Sequence, residues 1–451
     1  MAIQTEKPIL VVATFNGPGG HTAGLLQISE HLVTRGFRIY FIAGPALKKR
    51  IEDMGAEFVE DPFRFGVGTK PLPKQIDGVW ALVNYFGPSV PTAHRVLRET
   101  LERVRRDHPR RQVIILHGIM SGGLGPFVFG APLPKGYSSL PKAINFHTTI
   151  YIPPDGTAPP FGSGLPYDPT PENRALWRAL STQKEPVMAE ALDQFNKLYK
   201  ALGATRPAEG PFLNLFQTYG DVSVMATSPS QEYPLATPTP RLRFIGVLPL
   251  TPLDDCGFVP PPWWSVITAN AALPSRSPAK KKLVFVTQGS SHPNHNELLI
   301  PAIQSLAGRQ GLIVVATLGA RGAQLDGSIA VPDNAIVIDY FPYDVLLPYA
   351  DVLISNGGYH GVMHCVMNGV PMVLAGTHGE NIESSARAEW AGVAVNMSGK
   401  QLDRTAMAAA VDKVLADEGY KRRVMELKEE NEAMNPLARM ERIIDELTER
   451  E

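Results

Sequence analysis

The sequence predicts an α/β protein built from two doubly wound domains that face each other across a cleft. Short apolar runs alternate with segments of helical periodicity in both halves of the chain. Glycine-rich or polar turns follow many of the apolar runs, and a proline-dense passage separates the halves. The length of 451 residues fits two or three domains at roughly 150 residues each.

The composition excludes several classes of protein. With 43 Lys plus Arg against 44 Asp plus Glu, the chain has no charge excess and no basic stripe for a nucleic acid. Two cysteines are too few for a disulfide framework. No apolar run approaches the roughly 18 residues of a membrane span, and the N-terminus lacks a signal-peptide pattern. We therefore expect a cytoplasmic protein without a nucleic-acid partner or a membrane span.

The first half opens with a βαβ pattern. Residues 9–13 form a continuous apolar run, which is typical of a strand buried on both faces of a parallel sheet. A helix is predicted at 22–35, ended by Gly36, and a second strand at 37–42. The remaining assignments in this half are strands at 113–116 and 143–146, a proline-rich loop at 151–171 over a cleft, and a helix at 172–202.

The second half alternates more regularly. The predicted strands are 283–287, 312–317, 336–338, 352–355 and 371–374. The predicted helices are 297–306, 362–368 and 381–391, followed by two charged amphipathic helices up to the C-terminus. These assignments predict a domain at 1–245, a linker at 246–281 and a domain at 282–420, with C-terminal helices at 421–451.

A glycine-rich turn lies between the first strand and the first helix. Its residues 17–22 read Gly-Pro-Gly-Gly-His-Thr, so Gly20 allows close backbone approach to a ligand at a helix N-terminus. The dinucleotide pattern G-x-G-x-x-G fails at Thr22, and the second strand ends without an acidic residue, which disfavours NAD. His21 can accept a proton near neutral pH, although a structural or surface histidine is the alternative.

The strongest local motif follows the buried strand at 352–355. Residues 355–364 read Ser-Asn-Gly-Gly-Tyr-His-Gly-Val-Met-His, where backbone N–H groups, a helix start, Asn356 and His360 suit a diphosphate. The alternative is a turn that only connects strand and helix. His360 and His364 have the spacing of a zinc pair, but Gly361 stands where a metalloprotease has its glutamate.

Three further clusters follow strand ends in the second half, where such folds bind ligands. They could supply hydroxyls for phosphate, an aromatic ring for a base, and an acid with an amide for sugar hydroxyls. Taken singly, the aromatics also fit core packing, and the acid and amide also fit a helix start. The clusters are Gln288-Gly289-Ser290-Ser291, Tyr340-Phe341-Pro342-Tyr343 and Gly379-Glu380-Asn381.

Together, these clusters resemble the nucleotide-sugar signature of the UDP-glycosyltransferase family, which is family 1 of the GT-B superfamily. The resemblance covers residues 283–397 most closely, and the position of Gly20-His21 is similar to that of the family's catalytic histidine. The motifs that carry it are Tyr340-Phe341-Pro342-Tyr343, Leu346-Leu347, Ala350-Asp351, Asn356-Gly357-Gly358-Tyr359, Gly369-Val370-Pro371 and Glu380-Asn381.

The resemblance implies a GT-B fold and an inverting transferase that requires no metal or other cofactor. His21 would be the general base on an acceptor hydroxyl, which attacks the anomeric carbon of a UDP-sugar as UDP leaves. Glu380 and Asn381 would hold the hydroxyls of a hexose, with glucose as the leading donor sugar. The helices at 421–451 would cross back to the first domain.

The resemblance also implies roles for the other donor-site residues. Tyr340 would stack on uracil, and the Phe341 backbone would pair with the edge of the base. The diphosphate would be lined by Ser290, Asn356, Gly358, His360 and Gly361.

Three positions depart from the family's pattern. Tyr343 stands where Gln is common, and His364 stands where a ribose-binding Glu is common. His117 occupies the place of the Asp that charges the catalytic histidine, and an imidazole cannot supply that negative charge. His117 is therefore a candidate catalytic residue with a structural histidine as the alternative.

Several readings of the function stay open from the sequence. The acceptor is expected to be a small lipophilic molecule such as a phenol or another natural product, with a lipid or sterol as an alternative. A sugar-nucleotide-binding protein without transfer activity, and an enzyme that hydrolyses or epimerises the nucleotide sugar, are the other classes. The sequence does not distinguish a monomer from a homodimer.

Overall fold

The protein forms two parallel β-sheets, of seven and six strands, with helices on both faces of each sheet. This architecture confirms the predicted α/β fold class. The computed structural model describes residues 6–15, 20–64, 78–147, 149–153, 156–235, 241–250, 258–289, 294–377, 379–399 and 402–448.

The first sheet has the order β3-β2-β1-β4-β5-β6-β7. The inner strand β1 is completely buried, which explains the continuous apolar run in the sequence. Ile9 of β1 lies beside Arg38 on one side and Val113 on the other. The strands are β1 (Ile9–Ala13), β2 (Arg38–Ala43), β3 (Glu57–Glu60), β4 (Val113–Gly118), β5 (Lys142–His147), β6 (Val222–Met225) and β7 (Leu242–Phe244).

The second sheet has the order β10-β9-β8-β11-β12-β13. The strand order reverses between β8 and β11 here, and between β1 and β4 in the first sheet. At such switch points the connecting loops diverge and leave a crevice for a ligand. The strands are β8 (Lys282–Thr287), β9 (Leu312–Thr317), β10 (Ala335–Ile338), β11 (Val352–Ser355), β12 (Met372–Leu374) and β13 (Ala394–Asn396).

Helices connect most of the strands. Within the described ranges, none of them combines the length and the apolar character that crossing a membrane requires. The helices are α1 (Gly20–Thr34), α2 (Lys48–Asp53), α3 (Gly78–Ala81), α4 (Val90–Asp107), α5 (Gly125–Val128), α6 (Pro171–Ala201), α7 (Phe212–Leu215), α8 (Trp264–Ala272), α9 (Leu299–Ser305), α10 (Tyr343–Leu346), α11 (Tyr359–Asn368), α12 (Gly379–Trp390), α13 (Arg404–Ala416), α14 (Glu418–Met434) and α15 (Pro436–Thr448).

The last two helices pack on different sheets. Val424 of α14 is buried in the core of the second sheet, whereas Met440 and Ile444 of α15 are buried in the core of the first. The chain turns between them at Asn435, which has a φ of 50°. Glu441 of α15 accepts a hydrogen bond from Lys7 at 3.0 Å, so the end of the described chain lies against its start.

Several elements were not assigned from the sequence, among them the edge strands β3 and β7 and the long helix α4. Strand β3 reads Glu-Phe-Val-Glu and β7 reads Leu-Arg-Phe, and neither gives the continuous apolar run of a central strand. The two helices predicted after residue 391 are in fact three, because Asp417 caps the start of α14 and Asn435 ends it. The described residues at 151–153 and 156–170 contain neither helix nor strand, as predicted.

Candidate active site between the two sheets

The glycine turn after β11 lies against the first turns of α12. Gly357 has a φ of 75°, and a Cβ atom there would collide with Ser385 Oγ. Asn356 Nδ2 donates a hydrogen bond of 2.9 Å to the carbonyl oxygen of Gln288, which ties the turn to the end of β8. A Cβ at Gly358 would lie 3.8 Å from Asn381 Oδ1 and 4.0 Å from Asn356 Oδ1. Three residues predicted from separate motifs are therefore neighbours.

The two histidine motifs meet across the cleft. The ring centroid of His21, at the start of α1, lies 6.1 Å from that of His360, at the start of α11, with an edge-on geometry. Thr22 Oγ1 lies 2.9 Å from Thr14 Oγ1, so the first turn of α1 is fixed to the residue after β1. Phe15 borders His21 at a ring distance of 6.2 Å. The fold thus joins residues that are 339 positions apart in the chain.

Burial sets the charge state of His360. Loss of hydration, together with the neighbouring imidazoles of His21 and His364, lowers the pKa of His360 to about 3. The ring is therefore neutral at neutral pH, with one N–H to donate and one nitrogen that accepts. A neutral donor at the start of α11 suits an anionic oxygen, because the backbone N–H groups there also point outward.

The two aromatic residues after β10 have different environments. Tyr340 is 41% exposed, and the guanidinium of Arg321 lies 4.9 Å from its ring centroid. Phe341 is buried, and its ring packs against Trp263 at 5.0 Å and Trp264 at 5.3 Å. Tyr340 is thus free to present a ring face at the sheet edge, while the side chain of Phe341 belongs to the core.

Tyr343 and His364 are held by side chains of the second sheet and its helices. The hydroxyl of Tyr343 lies 3.0 Å from Thr287 Oγ1, and burial raises the pKa of Tyr343 to about 12. Nδ1 of His364 lies 2.6 Å from Asp344 Oδ1. Gly361 leaves room for the Tyr343 ring, since a Cβ there would lie 3.7 Å from it. His364 is therefore bonded to the residue that follows Tyr343, and Tyr343 is bonded to the end of β8.

Glu380 and Asn381 begin α12, where an acidic side chain is favoured by the helix dipole. Asn381 is buried, and its carbonyl oxygen accepts a hydrogen bond of 2.7 Å from Ser385. A Cβ at Gly376 would lie 2.7 Å from the Asn381 carbonyl carbon, so the β12 loop approaches α12 closely. The acid and amide lie on the side of the cleft that carries the glycine turn.

His117 lies on the face of the first sheet opposite to α1. Side chains alternate between the two faces along a strand. Leu116 packs in the core that contains α1, whereas Ile115 packs in the core on the other face, which contains α4. His117, two residues after Ile115, therefore shares the face of Ile115. His117 Nδ1 donates a hydrogen bond of 3.3 Å to the Gly118 carbonyl, and burial lowers its pKa to about 4. His147 on β5 is its neighbour, and burial together with His117 lowers the pKa of His147 to about 3.

Two predicted donor-site positions have little structural description. Ser290 lies outside the described residues. Gly20 is the first residue of α1, and the preceding glycines at positions 17 and 19 are also outside the described ranges.

Gln288, which belongs to one of the three predicted clusters, is buried and accepts a hydrogen bond of 2.9 Å from the Leu299 N–H, so it anchors the end of β8. Sequence reasoning missed an ion pair beside the cleft. Glu232 of the first half and Arg387 of α12 form a buried ion pair of 2.7 Å. The sequence gives one sign of this ion pair. Glu383 and Arg387 are four residues apart on a predicted helix, which is the spacing at which opposite charges pair along a helix.

Two solved glycosyltransferases of the GT-B fold superpose on nearly the whole chain. The glycotransferase of kitacinnamycin superposes with a TM-score of 0.69 at 16% identity, covering 98% of this chain and 99% of that one. The calicheamicin glycosyltransferase superposes with a TM-score of 0.63 at 17% identity, covering 99% of each chain. At these identities the likeness shows the fold.

Sequence comparisons give the family. The protein-family model described as "UDP-glucoronosyl and UDP-glucosyl transferase" matches residues 327–442. UDP-glucosyltransferase 1 of Beauveria bassiana (strain ARSEF 2860) is 36% identical over 450 residues, covering 96% of this chain and 94% of the relative. UDP-glucosyltransferase B1 of Starmerella bombicola is 30% identical over 463 residues, covering 98% and 99%. This chain belongs to the UDP-glycosyltransferase family and is a UDP-dependent glycosyltransferase.

Proposed function

We propose that the protein transfers glucose from UDP-glucose, with inversion, to a hydroxyl of a small lipophilic acceptor. The observation that carries this proposal is the 6.1 Å approach of His21 to His360 across the cleft. His21, the proposed proton acceptor, would then lie beside the turn that suits a diphosphate. The names of the relatives, UDP-glucosyltransferases, support glucose as the donor sugar. We take residues 1–245 to bind the acceptor and residues 282–420 to bind the donor, joined by 246–281, with 421–451 crossing back.

The donor would lie along the edge of the second sheet. Tyr340 follows β10, the glycine turn follows β11, and Glu380-Asn381 follow β12. In the sheet, β9 and β8 separate β10 from β11, which is about 14 Å at roughly 4.8 Å per strand, and β12 is next to β11. The three groups would therefore follow one another in the order of base, diphosphate and sugar. Tyr340 would stack on uracil, and Glu380 with Asn381 would hold hexose hydroxyls. Oxygens of the diphosphate would accept hydrogen bonds from His360, Asn356 and the backbone at Gly358 and Gly361, with Ser290 as a further donor.

His21 would act as the general base. Its neutral imidazole takes the proton of the acceptor hydroxyl while the acceptor oxygen bonds to the anomeric carbon. The bond from that carbon to the diphosphate oxygen breaks on the opposite face, and its electron pair leaves with UDP. Protonated His21 then stands beside neutral His360, so no like charge opposes the proton transfer. The proposal contains no metal ion.

The surroundings of His21 support an apolar acceptor. Phe15 borders His21 and packs on Phe86 with a ring distance of 4.9 Å, and Tyr85 meets Phe86 at 5.3 Å. Clustered aromatic rings beside a few polar groups are typical of small-molecule pockets. We therefore propose phenols and similar aglycones before a lipid or sterol. As a separate proposal, carried over from the sequence, the site of action is cytoplasmic.

The test is mass spectrometry of products made from UDP-glucose and a panel of phenols, sterols and long-chain alcohols, in EDTA. His21→Ala is expected to lower the rate of transfer by about 10² to 10⁴, the usual share of a general base. His31→Ala is the matched control, because His31 lies on the same helix near Glu441, away from the cleft. UDP binding by calorimetry is expected to stay within about twofold in both variants, because His21 is not proposed to contact UDP.

Three outcomes would contradict parts of the proposal. Full activity of His21→Ala would remove His21 as the base. UDP binding without any hexose adduct would refute the donor or the acceptor class. An adduct only on sterols or long-chain alcohols would replace the phenol assignment by a lipid acceptor.

A further inference from the structure

A buried ion cluster joins the two halves of the molecule. Arg387 Nε donates to Glu232 Oε2 at 2.7 Å, and Arg387 Nη1 donates to Glu383 Oε2 at 3.0 Å. The three side chains are only 5–6% exposed. Glu232 follows β6 of the first sheet, whereas Glu383 and Arg387 lie on α12 of the second. The charges therefore pair across the interface.

Backbone and aromatic contacts complete this cluster. Arg387 Nη2 donates to the Tyr151 carbonyl at 2.9 Å, and the Gly162 N–H donates to Glu383 Oε1 at 2.8 Å. The guanidinium also lies 4.4 Å from the ring centroid of Tyr233. Tyr151, Gly162 and Tyr233 all belong to the first half. All three guanidinium nitrogens of Arg387 therefore donate hydrogen bonds, an arrangement that the single ammonium group of a lysine could not reproduce.

The chain segment that carries Glu232 also contacts α14. Gln231 Oε1 accepts a hydrogen bond of 2.6 Å from Asn431, and Asn431 Oδ1 accepts one of 2.9 Å from the Val247 N–H. Two consecutive residues after β6 therefore bind two different helices of the second half. Such paired anchors fix an orientation better than a single contact does.

The electrostatics indicate a geometric role. Burial raises the pKa of Glu232, although the guanidinium of Arg387 opposes this shift. The carboxylates of Glu232 and Glu383 outweigh burial and raise the pKa of Arg387, which stays charged. Buried ion pairs contribute little net stability, because desolvation offsets the attraction. Their strong distance and angle dependence does specify one arrangement of the two partners.

The cluster lies on the helix that carries the proposed sugar contacts. Arg387 is seven residues after Glu380, which is about 10 Å along the axis of α12. The same helix packs on the glycine turn, since Ser385 occupies the space beside Gly357. A rigid helix fixed at Arg387 therefore fixes its first turn and the turn after β11 relative to α1.

We infer that Arg387 is a positioning residue, which sets the distance between the donor helix α12 and His21 by clamping α12 to Glu232 and Tyr151. This inference rests on the proposed roles of Glu380, Asn381 and His21. A misplacement of about 1 Å between reacting groups lowers a rate by as much as about 10²-fold. The clamp therefore acts on kcat, while UDP binds to residues that it does not contact.

The experiment compares Arg387→Met, Arg387→Lys and Glu232→Gln with the wild type. Arg423→Met is the matched control, because Arg423 hydrogen-bonds the Ala391 carbonyl after α12 and pairs with Glu426 of its own helix. For each protein we would measure kcat and KM, UDP affinity, free glucose released per transfer, and the radius of gyration by X-ray scattering.

Arg387→Met is expected to lower kcat by about 10²-fold, to change UDP affinity by less than about twofold, and to raise the share of hydrolysis. Its radius of gyration should exceed that of the wild type, whereas Arg423→Met should match the wild type in every readout. Glu232→Gln and Arg387→Lys keep part of the hydrogen bonding, so their kcat and radius of gyration should lie between those of the wild type and Arg387→Met. These two variants carry the test if Arg387→Met does not fold.

A wild-type kcat in the folded clamp variants would overturn the inference. A parallel loss of UDP affinity and kcat would also overturn it, since that pattern indicates a structural role only. If the wild type itself makes no hexose adduct, the proposed function fails, and scattering still decides whether the clamp holds the two halves. An unchanged radius of gyration in that case would refute the clamp as well.

Discussion

The buried histidines at the ends of β4 and β5 make the stability of the first sheet depend on pH. His117 is neutral in the folded protein because burial lowers its pKa to about 4. In the unfolded chain its pKa returns to about 6.5. The unfolded state therefore binds a proton that the folded state does not, and stability falls as the pH falls from 6.5 towards 4.

The magnitude follows from these two pKa values. Between pH 8 and pH 5 the linkage relation gives a loss of about 2 kcal/mol for His117 alone. His147, whose pKa burial and His117 lower to about 3, should lose a similar amount. His117→Asn removes the first contribution, so the difference between the two pH values should shrink by about 2 kcal/mol.

The assay is urea unfolding at pH 8 and pH 5, with pulse hydrogen–deuterium labelling of peptides from β4 and β5. The labelling of these peptides reports the unfolding of the first sheet alone. A signal from the whole chain would combine the unfolding of both sheets. Ile115→Val on β4 is the matched control, expected to cost about 0.5–1.5 kcal/mol equally at both pH values. If His117→Asn kept the pH difference of the wild type, the linkage argument for His117 would be refuted.

Two further predictions concern the donor side. Gly357→Ala should destabilise the second sheet by at least about 1–2 kcal/mol, seen as a lower Tm, because φ is 75° and Ser385 Oγ fills the space. Gly358→Ala is the control and should keep the wild-type Tm, because there is room for a methyl group at Gly358. Equal Tm values for the two variants would contradict the close packing of Ser385 on Gly357. Tyr340→Ala should weaken UDP binding by about 5- to 150-fold in calorimetry, as expected for a lost stacking contact. Tyr349→Ala is the control and should keep the wild-type UDP affinity, because Tyr349 is an exposed tyrosine before β11 that packs on Trp264. Equal UDP affinities of the Tyr340→Ala and Tyr349→Ala variants would remove Tyr340 from the base site.

Much of the fold could be predicted because central parallel strands leave a clear pattern in the sequence. Strands β1, β9 and β11 match the predicted bounds, since both of their faces are buried and all of their residues are apolar except Thr317 and Ser355 at the ends of β9 and β11. The edge strands β3 and β10 are half-buried. β10 was found from its apolar residues, whereas β3, with a Glu at each end, was not.

The candidate site was predicted in part for the same local reason. Glycine turns after buried strands mark ligand sites wherever the strand and helix on either side are recognisable, as at His21 and His360. Asp344, bonded to His364, and Thr287, bonded to Tyr343, carry no such mark. Their hydrogen bonds join α10 to α11 and to β8, so they depend on the fold and not on spacing along the chain.

The sequence by itself determined the two doubly wound halves, the resemblance to the UDP-glycosyltransferase family and the turns that carry His21, Asn356 and Glu380. Each of these depends on periodicity or on motifs within a few dozen residues. Only the tertiary structure decided that His21 meets His360, that His117 lies on the face away from α1, and that Arg387 pairs with Glu232. These contacts join distant segments, and their geometry is set by how the two sheets pack, which no local pattern encodes.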